Sequence, residues 1–186
     1  MNQVKAYDFS SLLSPQDNLD IKTISQQIIA EGRYFKNSPK YQTQENLFAR
    51  PEPVWLKMRQ SFIFGCFLYL DKEVRIKNIM SWVFMTSAKD AEDRDKLWHN
   101  HHINDNDGTT STLSGVWYVS IPNDVSNPKL TGTEFCPNWP DHNLNFFQEP
   151  KDLTWFIYSS KLWHRPGITD SDDCRFVFAA DMEYFL

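Results

Sequence analysis

"TLSGVWYVSIP", residues 112–122, reads as a β-strand by its period of two. Leu113, Gly115, Trp117, Val119 and Ile121 fall on one face of an extended chain, and Val116 and Tyr118 fall on the other. The same period continues on either side of this stretch. "IKNIMSWVFM" (76–85) places Ile76, Asn78, Met80, Trp82 and Phe84 together, and "LTWFIYSS" (153–160) and "CRFVFAADM" (174–182) are short runs of aromatic and β-branched residues. Pro122, Pro128, Gly132, Pro137, Pro140, Pro150 and Pro166 punctuate the gaps. Short strands with turn signals between them point to a sandwich or barrel.

Before residue 75 the period is helical. Ile21, Ile24 and Ile28 recur at spacings of three and four, with Gly32 as a stop. In "PVWLKMRQSFIFGCFLYL" (53–70), Trp55, Met58, Phe62, Cys66 and Tyr69 form one stripe behind Pro53. The polar stretch "KNSPKYQTQENLFARPEP" (36–53) connects the two helices. The expected architecture is mainly β with N-terminal α, a helical part over 1–75 backing a β-core over 76–186. With no repeat, no low-complexity tract and no flexible linker, residues 1–186 read as a single domain.

Composition narrows the functional classes. The 186 residues, with 14 Phe and 7 Trp, suffice to bury a core built on rings. Six glycines leave little material for a phosphate cradle. The net charge is −5 and no Lys/Arg run reaches four residues, so no nucleic-acid partner is expected. Cys66, Cys136 and Cys174 are odd in number and form no C-x-x-C, which argues against disulfides and for a reducing compartment. They read as buried packing residues. "MNQVKAYDFS" (1–10) has no apolar core for a signal peptide, and "SFIFGCFLYL" (61–70) is about half of what spans a bilayer. The reading is a cytoplasmic protein with no membrane partner.

Chemistry concentrates in "KLWHNHHINDND" (96–107), which holds three of the five histidines within four positions. A solvated polar loop is one reading, and a cluster of neutral nitrogen donors for a transition metal is the other. His99 and His101 lie two apart and face the same side of an extended segment, while His102 faces away. A third donor must come from elsewhere. His164, in "SSKLWHRPG" (159–167), ends a predicted strand, whereas His142, in "NWPDHNLN" (138–145), reads as a solvated loop residue. Arg175 opens the last strand among apolar neighbours. Its guanidinium cannot lose its proton, so it needs an anion there, either a protein carboxylate or a ligand carboxylate gripped at two points. Trp82, Trp98, Trp117, Trp155 and Trp163 line a pocket or, as is commoner for such rings, fill the core. "DSDD" (170–173) reads as a solvated turn.

Taken in order, "IMSWVF", "WHNHH", "LSGVWYVSIP", "GTEF", "SSKLWHRPG" and "RFVFAADM" resemble the iron(II)- and 2-oxoglutarate-dependent oxygenases, which are built on the double-stranded β-helix, or jelly roll. Within that superfamily the chain is most similar to small phage and marine bacterial members, which carry an H-x-H motif, then "SGvyYv", a distal His and an Arg. The resemblance covers residues 76–186. It implies that His99, His101 and His164 hold iron(II). It also implies that Arg175 binds the far carboxylate of the cosubstrate 2-oxoglutarate, with Tyr118 near it. Gly132, Thr133 and Glu134 fall on the turn and strand that follow. The implied activity is a dioxygenase that hydroxylates a C–H bond of a small-molecule or peptide substrate, with release of succinate and CO2. No catalytic residue beyond the metal ligands is required. A phage-encoded member would work in the host cytoplasm.

The wider superfamily uses His-x-Asp, which puts one carboxylate on the iron. No H-x-D occurs here; His102-x-Asn104 is a near miss, and Asp105 and Asp107 lie close. The second ligand is therefore His101 or a residue among His102, Asn104 and Asp105. Two other readings stay open. One is a cupin-type metalloprotein that uses no 2-oxoglutarate; "HNHHIND" fits it loosely and Arg175 does not. The other is a non-enzymatic binding protein with a degenerate site, to which the missing carboxylate points.

Overall fold

A computed structural model describes residues 3–37, 40–90, 94–102, 108–167 and 169–186. Ser14 starts the first helix, α1 (Pro15–Ala30), with a reciprocal cap: its side chain accepts from Asp17 N, and the Asp17 carboxylate accepts from Ser14 N at 2.8 Å. Past the end of α1, Gly32 takes φ 75°, a left-handed position that favours glycine. The second helix, α2 (Pro53–Leu70), begins at its proline as expected. Its stripe of Trp55, Met58, Phe62 and Cys66 is wholly buried. No helix among the described residues is long and apolar enough to cross a membrane.

The strands are β1 (Val4–Asp8), β2 (Tyr34–Asn37), β3 (Lys40–Thr43), β4 (Ile76–Thr86), β5 (Thr110–Ser120), β6 (Thr133–Cys136), β7 (Phe146–Gln148), β8 (Thr154–Ser159), β9 (Trp163–Pro166) and β10 (Arg175–Phe185). They form a seven-stranded antiparallel sheet in the order β1-β8-β5-β10-β4-β3-β2 and a three-stranded antiparallel sheet in the order β7-β6-β9. This is a jelly roll with α1 and α2 behind the larger sheet. The N-terminal part is not purely helical, since β1, β2 and β3 all join the larger sheet. These strands are four or five residues long and lie toward its edges, so the strand that each pairs with supplies an order that its own pattern does not.

Each long strand feeds two cores, because side chains alternate across a pleated sheet. Leu113, Trp117 and Val119 of β5 meet Trp155 and Ile157 of β8, Phe176, Phe178 and Ala180 of β10, and the helices. Val116 and Tyr118 meet Phe156, Tyr158, Val177 and Ala179 on the other face, together with Phe135 of the smaller sheet. The faces assigned from residues 112–122 hold through Val119. Ile121 departs, since β5 ends at Ser120 and Ile121 packs against the core between the sheets.

Phe62 of α2 packs tightly on Gly115 of β5. A Cβ there would lie 2.7 Å from Phe62 Cε2 and 2.9 Å from Ile157 Cδ1. Gly115→Ala is expected to lower stability by about 1–3 kcal/mol through overpacking, read as a fall in the denaturant midpoint at unchanged m-value.

Candidate metal centre

The segment carrying His99 and His101 runs antiparallel to β9. His99 N donates to His164 O at 3.1 Å, and His164 N donates to His99 O at 2.9 Å. This doubly bonded pair places the two side chains on one face, with ring centroids 4.4 Å apart. A further bond, His101 N to Ser160 O at 3.0 Å, keeps the segment extended. His101 therefore joins the same face, 5.0 Å from the His99 ring and 5.1 Å from the His164 ring. One ligand atom from each of the three lies within 4.8 Å of the others. His102 is exposed and outside this group. Asn104, Asp105 and Asp107 lie outside the described residues.

The backs of the three rings are tied to oxygens. His99 Nδ1 bonds Leu97 O at 2.7 Å, and His164 Nδ1 bonds Leu162 O at 2.9 Å, each the carbonyl two residues earlier. His101 Nδ1 bonds the Asp181 carboxylate at 2.9 Å, and Ser114 Oγ donates to the same oxygen at 2.7 Å. A backbone carbonyl can only accept, so Nδ1 of His99 and His164 carries the proton and each Nε2 keeps its lone pair. The same tautomer suits His101 facing a carboxylate. Tyr158 O–H approaches His164 Nε2 at 3.3 Å. Burial, with Asp181's charge adding to it, pushes that phenol well above the usual tyrosine range, so it stays a donor.

The imidazoles open on a 320 Å³ cavity walled by Met80, Trp82 and Phe84 of β4, with Val116 and Ala179 behind. Arg165 also lines it. Its Nε donates to buried Glu134 at 2.8 Å, its Nη1 pairs with Asp95, and its guanidinium lies 4.5 Å from the Trp98 ring. Glu134 accepts a further bond from Asn145 Nδ2 at 2.9 Å.

Arg175 is wholly buried, as its apolar neighbours in sequence imply. Its Nη2 donates to Gly132 O at 2.6 Å, and its guanidinium lies 5.6 Å from the rings of both Phe84 and Tyr118. Gly132 has to be glycine, because a Cβ would fall 1.7 Å from Gln148 O. Tyr118 O–H donates to Thr133 Oγ1 at 3.0 Å. Burial raises its phenol to about 12, against the lowering pull of Arg175's charge and the Thr133 bond. The structure thus joins Arg175 to Tyr118. Neither lines the cavity, but both adjoin residues that do, Phe84 and Thr133 respectively.

The other candidates fall elsewhere. His142 is exposed in a short 3-10 turn and packs on Trp98 and Trp139. The tryptophans divide: Trp117 and Trp155 fill the helix-side core, Trp82 lines the cavity, and Trp98 and Trp163 gather around Trp139. Cys66 and Cys136 are buried and Cys174 is partly so. In the "DSDD" turn, Asp170 accepts from Ser126 N at 3.1 Å. Sequence reasoning missed Asp181, Ser114 and the Arg165–Glu134 pair. The period of two offered one signal, since Asp181 falls on the same face of its strand as Arg175.

The sequence matches no protein-family profile and no curated protein. Solved structures do match it in fold. A prolyl-4-hydroxylase from Pseudomonas putida superposes with TM-score 0.62 at 9% identity, over 98% of this chain and 91% of that one. A viral collagen prolyl hydroxylase from Paramecium Bursaria Chlorella virus-1, solved as a 2OG complex, gives TM-score 0.61 at 14% identity, over 98% and 97%. HygX from Streptomyces hygroscopicus, solved with nickel, 2-oxoglutarate and hygromycin B, gives 0.61 at 8% identity, over 97% and 82%. At such identities the likeness establishes the fold alone, the jelly roll expected from the sequence.

The tautomers can be checked without metal. In ¹⁵N–¹H correlation spectra of the metal-free protein, at a pH where imidazole is neutral, His99, His101 and His164 are expected to show pyrrole-type Nδ1 and pyridine-type Nε2. A protonated Nε2 on His99 or His164 would contradict the carbonyl bonds described above.

Proposed function

We propose that the protein is an iron(II)- and 2-oxoglutarate-dependent dioxygenase that hydroxylates a C–H bond of a small molecule or peptide, with release of succinate and CO2. The observation that carries this reading is the convergence of His99, His101 and His164, whose ligand atoms lie within 4.8 Å of one another. The donor set fits the metal, since neutral imidazole suits iron and three protein donors leave coordination positions for other ligands. Held there with 2-oxoglutarate, iron(II) would supply activation of dioxygen, which provides one oxygen atom to the succinate formed as CO2 leaves and the other to a C–H bond of the substrate. The rest is the chain's own work. Arg175, braced on the Gly132 carbonyl, offers a fork that suits the far carboxylate of 2-oxoglutarate. Tyr118, kept neutral by burial, lies beside that guanidinium with its O–H engaged by Thr133 Oγ1. Trp82, Phe84 and Val116 give apolar walls that exclude water from the reacting groups.

The solved complexes of this fold with 2-oxoglutarate support the cosubstrate. The H-x-H spacing aligns the chain with the small phage and marine bacterial members of the superfamily. A reducing cytoplasm suits both ferrous iron and the free thiols. The all-imidazole donor set favours a second reading, a metalloprotein on the same fold that does not use 2-oxoglutarate. Titrating the iron-loaded protein with 2-oxoglutarate separates the two, because only an oxygenase is expected to give a visible charge-transfer band.

His164→Ala, His99→Ala and His101→Ala are each expected to abolish iron retention, with losses well beyond the ~10–100-fold of a change outside the ligand set. His102→Ala should keep its iron. Metal analysis after gentle purification tests all four, and loss of iron in His102→Ala alone would move the second ligand to that side of the loop. Arg175→Lys is expected to keep iron and the fold but to bind 2-oxoglutarate about ten- to a hundredfold more weakly, or ~1.5–3 kcal/mol, as one bond of a bidentate pair is lost. Succinate release against 2-oxoglutarate concentration measures this. An unchanged dependence would favour the second reading.

A further inference from the structure

We infer that Asp181 is the counter-charge of the metal centre and acts through His101, so that the carboxylate the wider superfamily places on iron stands here one residue further out. The inference rests on the metal reading above. It starts from β10, whose alternation sends Arg175, Val177, Ala179 and Asp181 to the face between the sheets. On that face Asp181 stands opposite Ser114 of β5 and Met80 of β4. Its Oδ1 accepts from His101 Nδ1 at 2.9 Å and from Ser114 Oγ at 2.7 Å.

Comparison with the other two imidazoles sets this contact apart. His99 and His164 rest their Nδ1 atoms on neutral carbonyls of their own segments, which is enough to fix a ring and its tautomer. His101 instead receives a full negative charge from a strand 80 positions away. Among the described residues that carboxylate meets no lysine or arginine, and its one ion-pair partner is His101. Three neutral imidazoles leave both charges of a divalent ion uncompensated, whereas a carboxylate behind one ring offsets one of them. It also draws the Nδ1 proton and makes Nε2 a stronger donor. Ser114, sharing the same oxygen, holds the carboxylate in place and withdraws part of its charge.

Asp181 is thus a positioning and charge-supplying residue, and its test must read charge as well as fold. Asp181→Asn keeps an oxygen that can accept from both partners but removes the charge. Ser114→Ala keeps the charge and removes the competing donor. Cobalt(II) affinity by absorption titration and the midpoint potential of bound iron are measured for both, with His164→Ala as the control that loses metal. Asp181→Asn is expected to keep the parent's cobalt band positions, to bind cobalt(II) about tenfold more weakly, and to raise the iron midpoint potential. Ser114→Ala is expected to shift that potential the opposite way. Parent-like affinity and potential in Asp181→Asn would overturn the inference, and so would potentials moving in the same direction in both variants. Should Asp181→Asn fail to fold, the sign of the shift in Ser114→Ala decides alone. If the parent itself takes up no cobalt(II), the metal reading falls and this inference falls with it.

Discussion

The two backbone hydrogen bonds between His99 and His164 are the constraint on which the site depends. They join residues 65 positions apart (164 − 99) into a single antiparallel pair. Once that pair closes, the pleat decides the rest: the two rings share a face, and the residue two further along shares it too. No side chain needs to search for its place. The ties from Nδ1 of His99 and His164 to nearby carbonyls then turn each lone pair toward the common point. The loop is thus organised as a short strand added to β9, and the convergence of the three imidazoles follows from ordinary sheet geometry.

That pair can form only because the two sheets close on each other. Helix α2 and the aromatic core beneath it hold the larger sheet from behind, through Phe62, Trp155 and Phe178. The inter-sheet core, through Phe135, Tyr158 and Phe156, holds the smaller sheet in front. Tyr158 belongs to this core and also touches His164, so the packing that joins the sheets reaches the imidazoles directly. Several polar groups inside are matched to partners, which offsets the cost of burying them: Trp155 Nε1 to Ser61 Oγ, Tyr118 O–H to Thr133, and Arg165 to Glu134.

Much of this was legible in the sequence where a single strand carried its own pattern. The alternation of residues 112–122 separated the two cores, and the H-x-H spacing identified the pair that faces one side. Arg175 was legible as a charge among apolar neighbours. What stayed hidden depended on partners across the sheet. β2 and β3 are polar and short, and only their neighbours make them strands. Glu134 and Arg165 meet because β6 lies against β9 in register, which no local pattern encodes. Asp181 is a lone polar residue near the end of an apolar run, and its contact with His101 depends on a loop reached only through the fold.

The ladder of β10 has one more consequence. Between Arg175 and Asp181 its pairing with β4 runs without irregularity, from Arg175 opposite Thr86 to Asp181 opposite Met80. On its other side β10 pairs with β5 from Phe176, with one irregularity between Phe176 and Val177 and a regular register from Val177 to Asp181. A slip of one residue would turn its inward side chains toward the helices, and a slip of two would displace them by about 6.7 Å. The backbone therefore works as a gauge with a fixed mark at each end, a guanidinium at one and the carboxylate behind the imidazoles at the other. The span between them is set by counting peptide units along a clamped strand, so side chains can be exchanged at the cavity walls without changing the length that the interior measures.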